Sequence, residues 1–205
     1  LQGILNRLKK NEILLILPEN IKNEILYILD EKFKELIDNF KNIFEQITKN
    51  NAQKKDNLIE KSNTLKKALE EAKESSRASI TKKYDSIKEI IGDICAHEQT
   101  KLISISDKIL LSGIKRAILK QPPFSKKNAY STHQDCVAFE AILKFLEQKS
   151  NATKQNFIIC ANDSDYYLGD KLHPIINDKL KPFCESIKTY KNIIVMLKEE
   201  FQEKI

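Results

Sequence analysis

The chain has 205 residues, 41% of them hydrophobic and 31% charged, with four glycines, five prolines and no tryptophan. This composition is typical of a helix-rich globular protein and excludes β-sandwich, collagen-like and disordered classes. The formal net charge of +6 favours an anionic partner, of which nucleic acid is the commonest, although excess lysine is also a routine solubility feature.

The cysteines and the apolar runs narrow the protein class further. The four cysteines are far apart and form no CxxC pair, so neither a zinc ribbon nor a disulfide framework is predicted. We interpret them as reduced thiols of a cytoplasmic protein. No apolar run approaches the roughly 18 residues of a membrane span, so no membrane association is expected.

The first 20 residues have the order helix, strand, helix. Apolar positions at helical spacing predict a helix over 1–10. The continuous apolar run Ile13–Leu17 is typical of a buried parallel strand. Pro18 then opens a helix, because proline in a first turn loses no hydrogen bond. This order is typical of an α/β fold.

A long helical hairpin is predicted next. Apolar residues at three- and four-residue steps indicate helices over 18–48 and 58–94, separated by a polar segment. We interpret them as a hairpin inserted at 31–96 into a single domain spanning 1–205. Its mixed lysines and glutamates are typical of a solvated face, with a lid or a nucleic-acid arm as the alternative.

The second half alternates helices with short strands. The segment 92–104 is predicted to be a connection, and 124–131 a basic loop carrying Lys126 and Lys127. Strands are predicted over 157–161 and, more weakly, 187–190. Helices are predicted over 107–118, 133–147, 172–180 and 193–201.

Acidic residues stand at positions suited to a metal site. The strand 157–161 is followed at once by Asp163 and Asp165, although an Asx turn produces the same pattern. Glu24 lies near the start of the second helix, and Asp135 begins the helix before that strand. If strands 13–17 and 157–161 are parallel neighbours, Glu24, Asp135 and Asp163 converge, and a divalent cation would offset their repulsion.

Three segments, taken in order, resemble the PIN-like nuclease domains, in particular the bacterial branch with a long helical insertion. They are ILLILPENIKNEI, then PPFSKK followed by HQDCVAFEAIL, then FIICANDSDYYLGDKLHPII. The resemblance covers nearly the whole chain outside the hairpin. It implies a three-layer α/β/α fold with a parallel sheet, and a metal-dependent nuclease that usually acts on RNA.

The resemblance also implies which residues bind Mg²⁺ or Mn²⁺. They are Glu24, Asp135 and Asp163, with Asp165 as an additional acid. The ordinary alternatives are helix first-turn acids for Glu24 and Asp135, and loop support for Asp165. The first aspartate of the family, which ends an N-terminal strand, has no counterpart in residues 1–205. Either it lies upstream of Leu1, which we expect, or this ligand has been lost.

Basic residues near these acids are candidates for phosphate contacts, with simple surface charge as the alternative. They are Arg116, Lys126, Lys127 and His133. The predicted function is metal-dependent phosphodiester hydrolysis, on RNA rather than DNA. One alternative is a catalytically inactive module that binds RNA or a protein, or forms a homodimer, through the hairpin. Another is a toxin-like or defence nuclease that a partner holds inactive.

Overall fold

The computed structural model of the chain describes residues 1–52, 59–124, 129–149, 154–161 and 164–202. It divides into two compact units, one formed by 1–23 with 94–205 and the other by 24–93. The helices are α1 (Gln2–Lys9), α2 (Glu19–Ala52), α3 (Ile59–Ala96), α4 (Asp107–Ile118), α5 (Ala129–Gln148), α6 (Pro174–Leu180) and α7 (Ile193–Phe201). The strands are β1 (Leu15–Pro18), β2 (Thr100–Ile103), β3 (Gln155–Cys160), β4 (Tyr167–Leu168), β5 (Lys171–Leu172) and β6 (Cys184–Tyr190).

The larger strands form parallel pairs. β1 pairs with β2, and β3 pairs with β6, while β4 and β5 form a small antiparallel ladder. Parallel strands joined through helices are the α/β architecture that the sequence predicts.

Two expectations about the sheet are wrong. The segment predicted as a connection contains β2, whose four residues include an exposed lysine and are too few to show a strand period. In the described part of the chain, β1 and β3 are not hydrogen-bonded to one another, so they are not the neighbouring strands assumed above. Pairing partners depend on backbone contacts far apart in the chain, which local periodicity does not report.

The main core is organised on α5, which carries apolar residues at helical spacing. Both parallel strand pairs contribute to it, through Ile16 of β1 and through Phe157 and Ile159 of β3. Its fully enclosed members come from α5, α6 and the start of β6: Phe139, Leu143, Leu146, Ile176, Leu180 and Cys184. Helix α5 therefore has its position set from several sides, which fixes the polar residues at its N-terminal end.

Helices α4 and α5 approach closely through Gly113. A Cβ atom at Gly113 would lie 2.6 Å from Val137 Cα and 2.5 Å from Val137 Cγ2, which no ordinary packing allows. Beside this contact, Ile109, Val137 and Ala141 form a second buried cluster. Glycine thus sets the spacing between the two helices.

The unit 24–93 is the helical hairpin. Phe33 of α2 stacks on Tyr84 of α3 with ring centroids 4.1 Å apart. The Tyr84 hydroxyl donates to Asp30 Oδ1 at 2.5 Å, and Lys88 Nζ lies 3.2 Å from the same oxygen. These two partners hold the pKa of Asp30 below its usual value. Among the described residues, no helix is both long enough and apolar enough to cross a membrane.

Candidate functional site

The site is built around the N-terminal half of α5, where Asp135 lies. This helix begins at Ala129, so Asp135 is in its second turn and the expectation that it begins the helix is wrong. The residues from Ala129 to Gln134 include no glycine or proline, so nothing in them stops the helix from starting early. Asp135 is half-buried at the edge of the core, and the next residue, Cys136, is fully buried.

The pKa of the buried Cys136 thiol is affected by its burial and by nearby charges. Its Sγ donates to the Pro123 carbonyl oxygen at 3.1 Å. Burial raises the pKa of Cys136 to about 11; Arg116 opposes this shift, and the negative charges of three acids add to it. Those acids are Asp135, Glu140 and Asp165. Asp165 lies in the short 3₁₀ helix Ser164–Tyr166, which follows β3 in the chain.

Asn20 ties the start of α2 to this region. Its Nδ2 donates to the Gln134 carbonyl oxygen at 3.0 Å, directly before Asp135. Its Oδ1 is buried and has no hydrogen-bond partner in the described part of the chain. A buried acceptor without a donor is costly, and the O–H groups of a hydrated cation would supply one. Carboxylate and amide oxygens, such as those of Asp135 and Asn20, are hard donors of the kind that Mg²⁺ or Mn²⁺ prefers.

The remaining predicted ligands are placed less completely. Asp163 lies outside the described residues. Glu24, half-buried, belongs to the hairpin unit and stands one turn after Asn20 along α2. Within the described ranges, no group of three or more His, Cys, Asp or Glu side chains is close enough to hold a metal ion. Of the predicted acids, Asp135 and Asp165 are the two whose negative charges add to the raised pKa of Cys136.

Arg116 is buried in an ion pair rather than displayed to solvent. Its Nε and Nη2 both lie 2.6 Å from Glu140 Oε1, and Nη1 donates to the Pro122 carbonyl oxygen at 2.8 Å. Its guanidinium carbon also stands 4.8 Å from the centroid of the Phe139 ring. Only 5% of the side chain is exposed. These contacts give Arg116 a structural position that joins α4, α5 and the loop at Pro122.

The other phosphate candidates differ in position. His133 is exposed and directly precedes Gln134, whose carbonyl Asn20 contacts. Lys126 and Lys127 lie outside the described residues.

Sequence reasoning missed Asn20, Cys136 and Glu140. Asn20 follows the Pro18–Glu19 helix start, where asparagine is so common that it does not stand out. A lone cysteine and a mid-helix glutamate likewise have no distinctive pattern. Burial and long-range contacts identify all three.

One comparison with known proteins gives a match. The family model described as PIN domain matches residues 1–166. The match extends from α1 to the 3₁₀ helix and so includes the Asn20, Asp135 and Asp165 positions. Searches of curated proteins and of solved structures gave no match.

Proposed function

Since the chain belongs to the PIN domain family, we propose that it is a metal-dependent nuclease that hydrolyses RNA. Members of this family are generally metal-dependent nucleases. One observation carries the proposal for this chain: Asn20 Nδ2 donates to the Gln134 carbonyl directly before Asp135, while the buried Asn20 Oδ1 has no donor among the described residues. RNA rather than DNA, and a cytoplasmic location, are part of the proposal.

The residues divide into binding and positioning roles. Asp135, Asp163 and Asp165, with Glu24, would hold Mg²⁺ or Mn²⁺, which supplies a more acidic bound water and compensates charge at phosphorus. Asn20 holds the Gln134 turn in place by its amide hydrogen bond. Lys126, Lys127 and His133 would contact the phosphate backbone of the substrate. Arg116 is left out of this set because Glu140 and Pro122 already occupy its guanidinium.

The test is RNA cleavage by the purified protein. We expect cleavage with Mn²⁺ or Mg²⁺ and none in EDTA. Asp163→Asn and Asp135→Asn should each lower the rate more than about 100-fold, since even second-shell partners of a metal cost about 10- to 100-fold. Asp178→Asn, at an exposed position on α6, is the matched control and should leave the rate unchanged.

Two results would contradict the proposal. One is cleavage that persists in EDTA, and the other is cleavage that Asp163→Asn does not alter. RNA binding without any cleavage would instead support the inactive binding module. A toxin-like or defence role would additionally require a partner that suppresses cleavage.

A further inference from the structure

The hairpin helix α2 carries more apolar surface than α3 covers. Its seam toward α3 contains half-buried aromatic residues, Phe33, Phe40 and Phe44. Between Glu24 and Ile90, however, none of the described side chains is buried. Two helices alone leave a coiled-coil seam partly open, and bundles bury it with further helices.

Beside the seam runs a second apolar row, the α2 ridge, formed by Ile25, Leu36, Ile43 and Ile47. At 100° per residue these four positions fall within about 40° of one another on the helix. Leu36 is 50% exposed and Ile43 is 55% exposed, so α3 does not cover them. The ridge is therefore a row of apolar side chains that are largely exposed to solvent in the single chain.

The spacing of the α2 ridge is symmetric about Leu36. Ile25 lies eleven residues before Leu36 and Ile47 lies eleven residues after it. Eleven residues make three helical turns, so both lie on the same face as Leu36, about 16 Å away in opposite directions. Ile43 and Leu29 lie seven residues on either side in the same way. An antiparallel copy of α2 with its two-fold axis at Leu36 would place Ile25 against Ile47 and Leu36 against itself.

Charge also permits two hairpins to meet. Residues 24–93 contain fourteen basic and fourteen acidic residues, so this unit has no formal net charge while the rest of the chain carries the whole +6. Lys32 is the one charged residue along the line of the ridge. In the antiparallel register it stands opposite Phe40, with Asn39 beside it. Neither long-range repulsion nor an opposed like charge disfavours the pairing.

We propose that a second copy of this chain binds the α2 ridge, so that two hairpins form an antiparallel four-helix bundle around a two-fold axis at Leu36. A self-complementary patch is what an isologous dimer requires. Binding of a different protein would not require the apolar positions to be spaced symmetrically about Leu36. This proposal is independent of the nuclease proposal.

The first test compares oligomeric state in the full chain by sedimentation equilibrium. We expect a dimer for the unaltered protein. Leu36→Glu would place two carboxylates against each other at the axis and should raise the dissociation constant at least ~100-fold. Tyr27→Glu is the control: Tyr27 is 65% exposed on the opposite face of α2, so the same chemical change there should leave the dimer intact.

The second test does not depend on loss of association. In a Cys160→Ser background, which removes the exposed thiol, Leu36→Cys should give a covalent dimer on mild oxidation with copper phenanthroline. Tyr27→Cys should not, because facing Cα atoms must come within about 7 Å to form a disulfide. If circular dichroism shows that Leu36→Glu is unfolded, the cross-linking measurement alone tests whether the chain dimerises through the α2 ridge.

Three outcomes would overturn the proposal. The first is an unaltered chain that stays monomeric at tens of micromolar, which would leave the ridge to another partner. The second is a Leu36→Glu dimer as tight as the original, or no cross-link at Leu36→Cys. The third is a dimer lost through Leu111→Glu, since Leu111 on α4 is also exposed and would then mark the interface.

Discussion

Arg116 and Glu140 illustrate, at the scale of single residues, how burial changes the role of a charge. In the sequence Arg116 is one of many basic residues in a basic protein. In the structure its guanidinium is paired with Glu140 and bonded to the Pro122 carbonyl, with almost no contact with water. A guanidinium held in this way stabilises the α4–α5 packing only as long as its carboxylate partner is present.

Removing that partner should be costly. Glu140→Gln leaves the buried Arg116 charge uncompensated, and we expect a loss of about 3–5 kcal/mol in the free energy of unfolding. The measurement is urea unfolding, read as the shift in midpoint. Glu147→Gln breaks an exposed pair with Lys144 and should cost only about 0–1 kcal/mol. Equal effects of the two variants would contradict the buried-pair assignment.

The buried thiols predict a fall in stability at alkaline pH. Burial raises the pKa values of Cys136 and Cys184 to about 11 from an ordinary value of 9.0. Because the folded-state pKa is the higher one, this stabilisation is complete below pH 9 and is lost as the pH rises toward 11. The melting temperature should therefore fall between pH 9 and 11. A Cys136→Ala, Cys184→Ala variant should fall less steeply, and an identical slope would argue against the shift.

At the scale of elements, the helical glycines Gly113 and Gly92 have opposite surroundings. Gly113 faces Val137 at a distance that leaves no room for a methyl group, whereas Gly92, near the end of α3, has no neighbouring atom within 4 Å of the Cβ position. Helix propensity alone would favour alanine at both positions by about 1 kcal/mol. The packing around each glycine therefore determines whether alanine stabilises or destabilises the protein there.

Alanine at these positions should therefore act in opposite directions. Gly113→Ala forces α4 and α5 apart, and overpacking of about 1–3 kcal/mol should exceed the gain in helix propensity and lower the melting temperature. Gly92→Ala should raise it, by up to ~1 kcal/mol of stability. Thermal unfolding followed by circular dichroism measures both. A stabilised Gly113→Ala would show that the helices can separate without cost.

For the whole molecule, charge is divided between the two units. The hairpin unit is neutral overall, so the positive charge that favours an anionic partner belongs to the unit with Asp135 and Asp165. This division weakens the idea that the hairpin is a nucleic-acid arm. It agrees instead with a nucleic-acid surface on one unit and an assembly surface on the other.

Salt dependence of RNA binding tests the division. Lys126→Gln with Lys127→Gln should weaken binding, and should reduce the slope of log affinity against log salt by about 1 for each lysine that contacts phosphate. Lys82→Gln with Lys83→Gln removes the same charge from an exposed part of the hairpin and should leave the slope unchanged. Fluorescence anisotropy over a salt series measures both. A larger effect at Lys82 and Lys83 would place the RNA on the hairpin.

The strands β1 and β3 show which features a local sequence pattern can predict. Continuous apolar runs predicted β1 and β3 because buried parallel strands need apolar side chains on both faces. Apolar residues at three- and four-residue steps predicted α2 and α3, because a helix that packs against a neighbour needs an apolar face. The short strand β2 was not predicted because its four residues show no periodicity. It is a strand because it pairs with β1.

What the sequence determined by itself is the PIN-like class of fold and the helical hairpin, while its acidic metal ligands stay a prediction. Only the tertiary structure decided which strands pair, that Arg116 forms an ion pair with Glu140, and that Asn20 bonds to the Gln134 carbonyl directly before Asp135. The physical reason is the separation along the chain of the residues that interact. Periodicity and turn chemistry are local along the chain, whereas burial, ion pairing and electrostatic neighbourhood depend on residues that folding brings together from distant positions.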